Sequence, residues 1–204
     1  MALLRAALTG GIATGKSYVL ARLKDRGIPV IDADDVVHEA FGAGKPVTNA
    51  IAARFGSRFL NEDGSVCRAL LGVEVFKDSE TRRQVEAIVH PLVYDAIQKW
   101  FDTLDAGFGV ASIPLLFETS REKDFDFVAV TDAPADVQLR RLLDRAAMTR
   151  EGARQRIAAQ MPAQEKASRG HFVINTGGEK ADTDRQVDDL IGVLQKIIAG
   201  SKSS

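Results

Sequence analysis

Leu8-Thr9-Gly10-Gly11-Ile12-Ala13-Thr14-Gly15-Lys16-Ser17 decides how the rest of this chain is read. It fits the pattern G-x-x-x-x-G-K-[ST], with Gly10, Gly15, Lys16 and Ser17 in register. The glycines let the backbone turn so that successive N–H groups converge on phosphate oxygens. The lysine reaches the β- and γ-phosphates, and the serine hydroxyl suits Mg²⁺. The flanks agree. Met1 to Leu8 is a short apolar run of strand length, and Val19, Leu20 and Leu23 recur at helical spacing between Tyr18 and Asp25. A loop joining a buried strand to a helix N-terminus is a seat for phosphate. A plain glycine turn is the alternative, and the complete motif in this setting argues against it.

Composition bounds the remainder. The chain has 204 residues, 45% hydrophobic and 27% charged, which suits one globular unit carrying inserted lobes. One cysteine, Cys67, excludes a disulfide framework and reads as a packed thiol. A net charge of −1 gives no general attraction to nucleic acid. No apolar run is long enough to span a membrane, and the N-terminal run lacks a basic leader. A cytoplasmic enzyme is expected, with no nucleic-acid or membrane partner.

Onward from the loop, the first helix should end near Arg26, with Gly27 in the left-handed position beyond it. Ile28 to Asp32 reads as a second strand. In an extended chain Asp32 and Asp34 would share one side, at the strand end where open α/β sheets bind ligands. Either is a candidate base, while Asp34 or Asp35 equally suits the N-cap of the helix that follows. Gly42 to Pro46 breaks the chain, Val47 to Phe55 is helical, and Asn61 to Gly64 is a turn. Arg68 suits either a phosphate contact or a solvated helix face. A long helical pattern from Ser79 to Phe101 is interrupted at His90-Pro91, which places His90 at a boundary, facing a cap or a cleft.

Phe108 to Ile113 is an apolar strand running into Pro114-Leu115-Leu116-Phe117-Glu118, and Glu118 there is a surface cap or a substrate-side group. Phe125 to Thr131 is the fourth strand. In the helix beyond Pro134, Leu139, Leu142, Leu143 and Ala146 form an apolar face that leaves Arg141 and Arg145 together on another. Two such arginines are solvated, or else belong to a lid that closes over a triphosphate. A second arginine-rich helix runs from Arg150 to Gln160. Phe172 to Ile174 is the last strand, a helix follows from Asp182 to Ala199, and the final residues form a frayed tail. Strands alternating with helices predict an α/β doubly wound parallel sheet.

Assembled, these motifs resemble the dephospho-CoA kinase family over nearly the whole chain. The resemblance is carried by the phosphate loop, Val30 to Asp34, Arg68 to Gly72 with Val75-Phe76, His90-Pro91-Leu92, Pro114 to Glu118, the Arg141 and Arg145 region, Arg156-Ile157 with Gln160, and Phe172 to Ile174. It implies a P-loop sheet of the nucleoside-monophosphate-kinase type flanked by helices. The core would cover about 1–41, 104–140 and 171–200, a helical CoA lobe about 42–103 and a helical lid about 141–170.

The implied reaction is ATP-dependent phosphorylation of the ribose 3′-hydroxyl of dephospho-CoA, with Mg²⁺; the oligomeric state is open, with a monomer favoured. Asp34 would be the base, with Lys16 and Arg145 also catalytic. ATP would be held by Gly11, Ile12, Ala13, Thr14, Gly15, Lys16 and Ser17, the amides of residues 12 to 17 forming the cradle, and by Arg141 and Arg145. Ser17 would hold the metal. The acceptor would meet Asp34, Arg68, His90, Pro114, Leu115, Leu116 and Glu118.

Four positions depart from the family pattern. Ala13 stands for a glycine, which calls for an unstrained φ there. Ser112 stands where an acidic residue is common, Ala146 follows Arg145 where aspartate is usual, and His171 replaces an aspartate. Another small-molecule kinase and a non-catalytic nucleotide-binding regulator are the competing readings.

Overall fold

A computed structural model describes residues 3–105, 107–145 and 149–200, so Met1, Ala2, the Ala146 departure and the tail after Gly200 lie outside the described residues. Five strands form one sheet: β1 Leu4–Gly10, β2 Val30–Asp32, β3 Phe108–Ser112, β4 Phe127–Asp132 and β5 Phe172–Asn175, in the order β2-β3-β1-β4-β5. The sheet is parallel and flanked by helices. In register, Ala7 of β1 lies opposite Ala111 of β3 and Val128 of β4, while Thr131 of β4 pairs with Ile174 of β5. All of β3 and most of β1 and β4 are buried, which is why they read as continuous apolar runs rather than alternating ones.

The chain divides into two compact units, Met1–Ile31 with Thr103–Ser204, and Asp32–Asp102. In the first, β1 and β4 lie at the centre of the sheet. Helices α1 (Lys16–Asp25) and α9 (Lys180–Gly200) pack together, and Val19, Leu23, Val187, Leu190 and Leu194 bury their side chains with Leu8, Val110 and Ile174. Gly27 has φ +74, the left-handed stop expected after α1. Helices α6 (Ala135–Arg145), α7 (Arg150–Ala158) and α8 (Ala163–Arg169) separate β4 from β5. The buried residues of α6 are Val137, Gln138 and Leu142, whereas Leu139 and Leu143 are only half-buried. The face is thus rotated from the apolar one that the sequence suggests, because Gln138 earns burial by donating Nε2–H to the carbonyl of Ala133, at 2.9 Å.

The second unit is helical: α2 (Ala33–Ala40), α3 (Pro46–Phe55), α4 (Arg68–Lys77) and α5 (Ser79–Asp102), with α5 packed against the other three. It begins at Asp32, earlier than the lobe boundary near residue 42. The expected break at His90-Pro91 is absent, and α5 is continuous with Pro91 inside it. Val85, Val89, Val93, Ile97 and Phe101 form a stripe buried at every fourth residue. Each such side chain contributes roughly 1.5–3 kcal/mol by leaving water. Pro91 and Ala87, whose carbonyl loses its donor, are exposed. Water can therefore satisfy the orphaned group, and the cost of about 3 kcal/mol for an interior proline is outweighed by the stripe.

Candidate active site

The loop after β1 is shaped by its carbonyls. Gly11 O accepts from Thr14 N–H at 3.2 Å and from Thr14 Oγ1 at 2.8 Å. Ala13 O accepts from Arg141 Nη1 at 3.2 Å, and Thr14 O from Thr176 Oγ1 at 2.7 Å. In a planar trans peptide the N–H points opposite to the C=O. Holding the Thr14 carbonyl therefore turns the Gly15 amide the other way, at the N-terminal end of α1. A side chain on Gly10 would collide with the hydroxyl of Thr131, and Gly15 has φ +84, so both motif glycines are required by geometry. Ala13 does not have the relaxed backbone expected of it. Its φ is +59, a left-handed conformation held by the Arg141 bond to its own carbonyl.

Lys16 is half-buried at the start of α1 and donates from Nζ to Ser112 Oγ at 2.6 Å. Ser112, fully buried at the end of β3, thus gives the loop lysine a neutral partner at the position where the family pattern has an acid. The Ser17 side chain is exposed at the same helix end.

The two arginines of α6 part company. Arg141 is half-buried and grips the segment after β5, donating from Nη1 to Thr176 Oγ1 at 3.0 Å and from Nη2 to Thr176 O. Burial, and then the neighbouring charges of Arg145 and Arg140, lowers its pKa. Arg145 is exposed. Gln160, just past α7, accepts the Ile12 N–H on Oε1 at 2.8 Å. A cavity of about 440 Å³ opens beside these groups, lined by Gly11, Ile12, Pro134, Gln138, Ile157 and Gln160 among others.

Glu118 is drawn to Lys166, whose Nζ lies 2.9 Å from Glu118 Oε1 and donates to Pro114 O at 2.8 Å. Lys166 is fully buried, and Glu118 also accepts the Met161 N–H at 3.1 Å. This carboxylate and ammonium tie the Pro114–Ser120 turn to the start of α8. Leu116 is core, and the carbonyls of Leu115 and Leu116 accept from Thr119 Oγ1. His171, the other departure from the family pattern, extends the pairing of β4 and β5, with Nδ1 accepting from Val128 N–H at 2.9 Å.

Within the second unit, β2 gives way to α2 at once, so Asp34 lies in a first helical turn and not on extended chain. The N-cap is Asp32, not Asp34 or Asp35: its Oδ1 accepts the Asp34 N–H at 3.1 Å. The Asp34 side chain is exposed. Arg68, first in α4, meets His38 of α2, with Nη1 3.1 Å from Nδ1. His90 lies inside α5, its ring 6.2 Å from that of Tyr94. Sequence reasoning passed over His38, Lys166 and Thr176. Only Thr176 had a local signal, its place in Asn175-Thr-Gly-Gly178, whose glycines mark a turn.

The family model of dephospho-CoA kinase matches residues 4–182. The chain belongs to that family. A dephospho-CoA kinase of Anaeromyxobacter dehalogenans is 44% identical over 92% of this chain and 90% of its own, and one of Shouchella clausii is 39% identical over 92% and 97%. The dephospho-CoA kinase of Campylobacter jejuni has a similar structure, with a TM-score of 0.70 and 25% identity over 96% of this chain and 98% of its own. The chain is accordingly a P-loop kinase, for which ATP is the implied co-substrate. Among the described residues no helix is long and apolar enough to cross a membrane.

Proposed function

We propose that this kinase transfers the γ-phosphoryl group of ATP to the ribose 3′-hydroxyl of dephospho-CoA, giving coenzyme A and ADP in the cytoplasm. The observation that carries the reading is the loop itself, where Thr176 holds the Thr14 carbonyl so that the Gly15 amide turns outward at a helix N-terminus and Arg141 clasps Ala13, in a chain of this family. Phosphoryl transfer passes through a loose transition state, so positioning and electrostatics supply most of the catalysis.

The Ile12 and Thr14 amides are taken by Gln160 and Gly11 O, so the phosphates are held from the Gly15 end of the loop, and Lys16 stabilises the charge on the transferring group. Arg145 adds positive charge from the lid, while Arg141 acts at the triphosphate's edge and as the clasp of the loop. Asp34 takes the proton of the attacking hydroxyl. Asp32 is less suited to that role, because its carboxylate already caps α2. Arg68, His90 and the segment Pro114, Leu115, Leu116 and Glu118 serve the acceptor side, Arg68 as a cation for its diphosphate and Glu118 by fixing the turn that carries the others.

The donor set also fits Mg²⁺. Ser17 offers a hard hydroxyl oxygen at the end of α1, and the described residues contain no cluster of three or more His, Cys, Asp or Glu that would form an all-protein cage. A small divalent ion held by one hydroxyl, phosphate oxygens and water matches that supply. When bound it neutralises charge on the phosphates.

The test is a coupled ADP-release assay with Mg-ATP and dephospho-CoA, with adenosine, AMP and gluconate as competing acceptors and mass spectrometry of the product. A product heavier by one phosphoryl group, formed only from dephospho-CoA, is the expected result. Transfer to another acceptor would discard the substrate, and tight ATP binding with no transfer to any of them would favour a regulator.

A further inference from the structure

We propose that Gln160 reads the γ-phosphate of the bound nucleotide and thereby sets the site's preference for ATP over ADP. The inference rests on ATP being the phosphoryl donor, and it assigns a role to a residue that the loop motif does not contain. Ile12 N–H is the loop amide just before the left-handed turn at Ala13, and it donates to Gln160 Oε1 at 2.8 Å. The bond joins the loop to the far end of α7. It is not a by-product of local helix geometry.

Gln160 is itself held on both sides. Its own N–H donates to Ile157 O at 3.3 Å, and the next amide, Met161 N–H, is taken by Glu118. The buried Lys166 in turn fixes Glu118, so the carboxamide reaches the loop from a braced backbone. A carboxamide is an acceptor at one end and a double donor at the other. With Oε1 engaged by Ile12, Nε2 is presented beside the same loop, next to the cavity that Gly11, Ile12 and Gln160 line. The helix N-terminus of α1 suits the inner phosphates. A donor attached at the loop's entry and carried by the lid segment then faces the outer one, which only the triphosphate has. Charge-assisted N–H···O⁻ bonds are among the stronger hydrogen bonds, so the discrimination should be measurable.

The two functions of the side chain can be separated by substitution. Gln160→Ala removes both the brace on Ile12 and the donor, whereas Gln160→Glu keeps an oxygen for Ile12 N–H and replaces the donor with an anion. Calorimetric titration of the full chain with Mg-ADP and with the Mg complex of the β,γ-methylene analogue of ATP gives the readout. ADP affinity should stay within about twofold of wild type in both variants, which also shows that they fold. Affinity for the analogue should fall about tenfold in Gln160→Ala and on the order of a hundredfold in Gln160→Glu, where like charges meet. Equal weakening of both nucleotides by Gln160→Ala, with recovery in Gln160→Glu, would make Gln160 a brace and overturn the proposal. So would unchanged affinity for the analogue in both variants. Failure of the wild-type chain to bind either nucleotide would overturn the donor assignment first, and this inference with it.

Discussion

The two compact units hold their functional candidates in opposite ways. Around the phosphate loop the bonds come from far along the chain: Thr131 meets Thr14, Arg141 reaches Ala13, Thr176 reaches Thr14 and Gln160 takes Ile12. In the unit from Asp32 to Asp102 the candidates stand on exposed or half-exposed helix faces. Their contacts include the Asp32 cap beneath Asp34, the His38 ring beside Arg68 and the Tyr94 ring beside His90. The donor end is thus organised before any ligand arrives, and preorganised donors need little rearrangement during the reaction. The candidates of the second unit are surface groups that cost little to move, unlike the Pro114–Glu118 segment of the first, where Leu116 is core and Glu118 is tied to the buried Lys166. Substitutions in the first unit should therefore disturb loop geometry and folding together, and substitutions in the second should change chemistry or acceptor affinity while leaving stability alone.

The sharpest test of that division is Asp34→Asn. It keeps the shape and the helix cap, which belongs to Asp32, and removes only the carboxylate proposed as base. Turnover should fall by about two to four orders of magnitude, the range of general-base help. Nucleotide affinity and the midpoint of urea unfolding should stay at wild-type values. Turnover near wild type would take the base away from Asp34. Loss of ATP binding would show that the two ends are not separable.

How far this was legible follows from where each constraint lies. The loop could be read because phosphate geometry dictates residue type at fixed spacing: a Cβ at Gly10 strikes Thr131, and Gly15 needs a positive φ. Strands β1, β3 and β4 could be read because burial on both faces leaves uninterrupted apolar runs. The rest depends on partners distant in sequence. Nothing near Lys166, in a polar run, signals that it is fully buried, because its partners are Glu118 and Pro114. His90-Pro91 looks like a helix boundary locally, and a stripe of buried valines overrides it. In Asp32-Ala-Asp-Asp35 every acid can cap, and only the point where β2 stops selects Asp32.

Glu118→Ala should give the largest loss of stability. It removes the counter-charge of the buried Lys166 ammonium, leaving it the Pro114 carbonyl, and frees the Met161 amide. Removing one member of a buried pair costs about 3–5 kcal/mol, and because Glu118 is 22% exposed the expected loss is about 2 kcal/mol. Urea unfolding measures it, and an unchanged midpoint would mean that this bridge does not brace the donor unit. Arg68→Ala is the counterpart from the other unit. The Arg68–His38 contact is exposed, so stability should move by less than about 0.5 kcal/mol. The KM for dephospho-CoA should instead rise about tenfold, the equivalent of one charge-assisted hydrogen bond, with the KM for ATP unchanged. A rise in both would contradict the acceptor-side placement of Arg68.

The smallest effect tests whether the loop's order carries a cost. Ala13 sits at φ +59, where a Cβ crowds the backbone, and its carbonyl is clasped by Arg141. Left-handed backbone costs an L-residue roughly 1–2 kcal/mol. Glycine escapes that penalty but loses more entropy on folding, by about 0.5–1 kcal/mol. Ala13→Gly should therefore stabilise the protein by only about 0.5 kcal/mol. Turnover should hardly change if Arg141, which holds the carbonyl, is what fixes the turn. If glycine instead lowers nucleotide affinity while stability rises, the alanine is helping to hold the loop in its left-handed turn. The long-range bonds would then share the organisation of the donor end with the loop's own sequence.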